Sequence, residues 1–118
     1  MVRIEDIARA ALAYEALAVR DLIQDLLRDA PDWASIPRPV GVDEDTLVVA
    51  AALLELLALR SGAEPATWTR ETGPAREPIH LVRAAATMPR TRARVEAESP
   101  EPLRKRNVFA PAEYATFV

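Results

Sequence analysis

The chain has 118 residues, a formal net charge of −3, half of its residues apolar and no cysteine. That length and apolar content exclude a disordered chain and fit one domain, residues 1–118, around a single hydrophobic core. The missing cysteines exclude disulfides and thiolate metal sites.

The apolar residues are mostly Ala, Leu and Val, with six aromatics, a mixture that suits close-packed helices better than a β-sandwich. Arg outnumbers Lys fourteen to one, which reads as the codon usage of a GC-rich bacterial genome. Charge is uneven. Residues 1–60 hold six basic and eleven acidic groups, and residues 61–118 hold nine and seven, so an acidic half is joined to a mildly basic one. The opening Met1-Val2-Arg3-Ile4-Glu5-Asp6 lacks the apolar stretch of a signal peptide. The longest apolar run, 47–54, is eight residues, far short of the roughly 20 a membrane helix needs. The expected compartment is the cytoplasm, with no membrane partner.

In chain order, the first expected element is one amphipathic helix over residues 4–27. Ile4, Ile7, Ala8, Ala11, Ala18, Val19, Leu22 and Leu26 recur at helical spacing, and Pro31 ends the segment. Glu15 falls within that apolar stripe. A carboxylate there implies a buried or half-buried pairing with an arginine or a local shift of helical register, with a functional carboxylate or a contact to a partner as the alternative. Residues 31–42 form a loop that tucks Trp33 against the core. Asp43 to Thr46 supply N-cap candidates for a central helix over 47–59, apolar throughout except Glu55, which Gly62 closes as a left-handed cap. A short helix begins near Pro65 and anchors Trp68. Further helices are expected from Pro78 to Thr87 and from Pro89 to Glu98. Ser99 reads as an N-cap ahead of the two prolines of Ser99-Pro100-Glu101-Pro102. Val108-Phe109 suits a short extended pairing, and residues 111–117 a final helical turn or two. The sum is an all-α bundle of about five helices with a hydrophobic central helix and a short irregular C-terminal segment.

Catalytic signatures are missing. His80, the single histidine, has Arg83 and Ala84 at the following helical spacings, so neither a metal set nor a relay accompanies it. Gly41, Gly62 and Gly73 are too far apart for a phosphate-cradling loop. No cofactor and no catalytic residue is assigned. The chemistry-bearing cluster is basic. Arg90, Arg92 and Arg94 lie on one helix, and Arg104, Lys105 and Arg106 follow just before Phe109 and Tyr114. Together they suggest an arginine and aromatic contact patch, or a phosphate-binding face that the overall negative charge argues against. Helical spacing would also pair Arg92 with Glu96 and Arg94 with Glu98.

Thr67-Trp68-Thr69, Glu77-Pro78-Ile79 and the run from Glu98 through Ser99-Pro100-Glu101-Pro102-Leu103-Arg104-Lys105-Arg106-Asn107-Val108-Phe109 resemble a bacterial helical module. That module is found behind a helix-turn-helix in regulators of the antitoxin type. The resemblance spans about residues 45–117 and implies a partner-binding role, with a cognate toxin or a second copy as partner. Residues 1–30, read as one helix, lack the helix pair of the DNA-binding form. The expectation is therefore a non-enzymatic interaction or regulatory module, with a nucleic-acid-binding accessory protein as the alternative.

Overall fold

The structure, a computed structural model, describes residues 2–116. Helix α1 (Ile4–Leu12) buries Ile4, Ile7, Ala8 and Ala11 on one face, as the spacing predicts, and Asp6 accepts the Arg3 N–H at its first turn. The expected long helix is not continuous, however. At its end the Glu15 N–H donates to Ala10 O at 3.0 Å and the Tyr14 N–H to Ala11 O at 3.1 Å, with Tyr14 at φ 60°. This pair of bonds is the left-handed Schellman closure that normally employs glycine. A new helix, α2 (Ala16–Arg28), then starts and packs on α1 through Val19, Ile23 and Leu26. The break also answers the problem of Glu15. The residue precedes α2 as its N-cap and is exposed, so no carboxylate is buried.

Past Pro31, Asp32 accepts the Ala34 N–H and the Ser35 hydroxyl to hold a 3-10 turn at Trp33–Ser35, which buries the Trp33 ring. Helix α3 (Glu44–Arg60) is the axis of the molecule, with eleven of its seventeen residues buried. Leu53 and Leu54 are fully enclosed, and burying each such side chain contributes about 1.5–3 kcal/mol. Asp43 receives the Thr46 hydroxyl at the helix start. Gly62, at φ 69°, closes the other end, with Ala63 N–H bonded to Ala58 O. Helix α1 packs on α3, as do the later segments Trp68–Glu71 and Glu101–Arg104.

The remaining elements are short. Helix α4 (Trp68–Glu71) is pinned by the Trp68 indole, which donates to Ile36 O at 2.8 Å. Strand β1 (Ile79–His80), helix α5 (Arg83–Thr87), helix α6 (Pro89–Glu98), helix α7 (Glu101–Arg104) and strand β2 (Val108–Phe109) follow. Strands β1 and β2 run parallel, with Ile79 opposite Val108 and His80 opposite Phe109.

The described residues therefore form a mostly helical, compact fold of seven helices, two of them only four residues long, and one two-stranded pairing. The expected helix from Pro78 begins only at Arg83, because residues 79–80 are drawn into the pairing with β2. Ser99 is not an N-cap. It closes α6, buried, with its hydroxyl between Val95 O and Ala110. Residues 112–115 form turns and not a helix, and Phe117 of that expected element lies outside the described residues.

Candidate functional site

The six basic residues of the expected patch do not share a surface. Arg106 is buried, 3% exposed. Its Nη1 donates to Pro102 O at 2.9 Å and its Nη2 to Thr69 O at 2.7 Å, while Nη1 also approaches Glu55 Oε2 to 2.6 Å. That last approach lies off the hydrogen-bond axis, and both Arg106 Nε and Glu55 Oε2 lack a hydrogen-bond partner. Lys105 donates to Glu55 Oε1 at 2.5 Å. Burial acts to raise the Glu55 pKa, but the Lys105 hydrogen bond and the adjacent charges of Arg106 and Lys105 outweigh it and hold the carboxyl below its ordinary range. The single acid in the apolar body of the central helix thus answers Lys105 and Arg106 of the basic triplet. Arg106 is withdrawn from any contact patch because leaving Glu55 alone among apolar neighbours would be costly.

Arg92 also turns inward, capping the last carbonyls of α5 through Ala85 O (3.0 Å) and Ala86 O (2.6 Å). Neither expected helical ion pair forms. Glu96 turns to His80, with Nε2 and Oε2 2.7 Å apart, and Arg94 has no ion pair among the described residues. Phe109 is half-buried and stacks on the His80 ring at 5.5 Å. Of the basic set, Arg90, Arg94 and Arg104 are exposed, and none is in an ion pair among the described residues.

Tyr114 leads to a different site. A groove of about 390 Å³ opens where the α1–α2 turn meets the segment after β1 and the turns of residues 111–116. Ala11, Val19, Leu81 and Val82 supply apolar walls, and Tyr14, Glu15, Arg83, Glu113 and Tyr114 line it as well. The volume falls in the range of small binding clefts. Arg83 stacks over the Tyr14 ring, its guanidinium carbon 5.1 Å from the ring centre. Burial pushes the Tyr114 phenol up to about 12. Arg60, at the end of α3, donates to the carbonyls of Tyr114 and Ala112 and fixes this wall.

Of the four non-glycine residues with positive φ among the described residues, two, Tyr14 and Ala115 (φ 62°), line this one groove. Left-handed backbone costs an L-residue roughly 1–2 kcal/mol, and such strain concentrates where function requires a particular shape. A second hollow of about 590 Å³, between the start of α1 and residues 36–40, has no aromatic lining and no residue with positive φ. Among the described residues, no group of three His, Asp or Glu side chains could hold a metal, and no helix is long and apolar enough to cross a membrane. The groove residues Tyr14, Arg83 and Glu113 carry no motif in the sequence, since they meet only through the fold.

No protein-family model, curated protein or solved structure matches the chain.

Proposed function

We propose that this chain is a non-enzymatic protein-interaction module, a regulator or accessory protein of the antitoxin kind, whose recognition surface is the groove between Tyr14 and Tyr114. The observation that carries this reading is the presence of strained backbone in two groove-lining residues, Tyr14 and Ala115, beside an exposed tyrosine already stacked with an arginine. Tyr and Arg are the side chains that dominate binding energy at protein interfaces. The recognition surface is thus assigned to the groove in place of the basic triplet, of which Arg106 supports the core.

A nucleic-acid-binding role remains the second reading, favoured by the exposed Arg90, Arg94 and Arg104. The helix pair α1–α2 does not strengthen it. Helix α2 exposes Asp21 and Asp25 beside Arg20 and Arg28, and a recognition helix that meets phosphates carries an excess of positive charge.

Affinity capture from a lysate of the source organism, nuclease-treated in parallel, separates the two readings. The baits are the wild type, Tyr14→Gly and an Arg90→Glu/Arg94→Glu variant. The interaction reading expects a protein that survives nuclease, is kept by the arginine variant and is lost with Tyr14→Gly. Retention of nucleic acid alone, abolished by the arginine variant and by moderate salt, would transfer the function to the basic residues.

A further inference from the structure

The charges of the groove specify the chemistry of its occupant. Glu15, from the α1–α2 turn, and Glu113, from the turns after β2, are both exposed and both line the groove. Among the described residues, neither carboxylate is in an ion pair or a side-chain hydrogen bond. Arg83 is the one cation in the lining, and it sits on the Tyr14 ring instead of on either acid. The groove therefore offers two carboxylates without a counter-charge beside the half-buried apolar side chains of Val82 and Pro111.

We infer that the groove receives an apolar polypeptide segment carrying a lysine or arginine, the apolar side chain seated against Val82 and Pro111 and the cation read by Glu15 and Glu113. The inference rests on the groove being the recognition surface and adds the class of its partner. An acidic segment would bring like charge against both carboxylates, in a site where apolar walls weaken solvent screening. A purely apolar segment would remove water from both carboxylates without replacing the lost interactions. A cationic segment meets both demands. Its charge can also face tyrosine, since the Tyr14 ring already holds a guanidinium and aromatic faces attract cations. Two attractive pairs in place of two repulsions set the preference for a basic over an acidic segment at about tenfold or more.

Random short peptides displayed on phage and selected on the immobilised wild-type protein test this directly. Enriched sequences are synthesised and their affinities measured by fluorescence anisotropy. The variants are Glu15→Lys/Glu113→Lys, Arg90→Glu/Arg94→Glu and Tyr14→Gly, each checked for helical content by circular dichroism. The inference expects peptides that pair a large apolar residue with a nearby Lys or Arg. Their affinity should fall about tenfold with the double glutamate reversal and stay unchanged with the arginine reversal. Acidic peptides that bind the wild type and are lost with Tyr14→Gly would overturn the charge assignment while leaving the groove as the recognition surface. Basic peptides lost with Tyr14→Gly but indifferent to the double reversal would do the same. Failure to enrich any sequence, or peptides that ignore Tyr14→Gly, would overturn the inference together with the reading on which it rests.

Discussion

Tyr14 holds a position that helices usually give to glycine, so the ordinary ranking of substitutions reverses there. Tyr14→Ala keeps the left-handed strain and loses both the ring and its stacking on Arg83. Tyr14→Gly loses the same contacts but releases roughly 1–2 kcal/mol of strain. The glycine variant should therefore be more stable than the alanine variant by about 1 kcal/mol and close to the wild type, which urea denaturation of the three proteins would measure. A stable Tyr14→Gly protein is also what makes it a clean test of binding. At Glu55 the relevant variable is pH. Its folded pKa is depressed, so its contribution is present above the unfolded carboxylate value, about 4.3, and is lost as pH falls through the folded value. Thermal stability should decline across that acidic window, and Glu55→Gln should flatten the decline. Arg106→Met leaves Glu55 with Lys105 alone and strips donors from two buried carbonyls, so it should cost about 3–5 kcal/mol. Arg104→Glu, at an exposed position, should change stability by no more than about 0.5 kcal/mol. Calorimetry of the two variants distinguishes the core arginine from the surface one.

Among the elements, what the sequence made legible and what it hid divide by the range of the interactions involved. The central helix, its Gly62 cap and the two anchoring tryptophans are specified locally, by an unbroken apolar run, a glycine and large rings beside turn residues. All of these features are visible to a reading of neighbours. The α1–α2 break is also local, but its signal is absent. Tyrosine fills the glycine position, and the apolar period continues across the gap almost in phase. Strand β1 depends on a partner far along the chain, so a stretch suited to helix from Pro78 is pulled extended until Arg83. The candidate site was legible only in part. The sequence discloses that arginines cluster and sets Tyr114 with the basic turn, whereas the fold places Tyr114 in the groove lining, because side-chain direction is fixed by packing. One clue to Arg106 was available: Glu55, the lone carboxylate in an apolar run, required a cation from elsewhere. The C-terminal turns depend on one such long-range link. Arg60→Ala removes two donated hydrogen bonds, each worth about 0.5–1.5 kcal/mol. Amide exchange in residues 111–116 should therefore quicken while α3 stays protected, as hydrogen-exchange mass spectrometry would show.

For the whole molecule, the uneven charge of the sequence becomes a difference between sites. The groove presents Glu15 and Glu113, while Arg90, Arg94 and Arg104 are exposed elsewhere on α6 and α7. A partner with both signs of charge would be oriented before contact, and its association rate would fall as salt is raised. High pH acts on the molecule as a whole through Tyr114. Its folded pKa is raised to about 12, against about 10 for the unfolded phenol. The stabilisation it gives is complete below the unfolded value and is lost as pH rises through the folded one. Ultraviolet titration of a Tyr14→Phe variant should show the remaining phenol ionising near 12, together with loss of helix content over that interval.

The Arg60 link has a further consequence, for synthesis. Residues 11–19 form one wall of the groove and residues 111–116 another, and the second is fastened by a guanidinium at the end of the central helix. During synthesis the residues of the central helix are made well before those of the second wall. On the proposed reading, a chain cut short before residue 111, or clipped there by a protease, would keep its central helix but lose one wall of the groove, and so its partner.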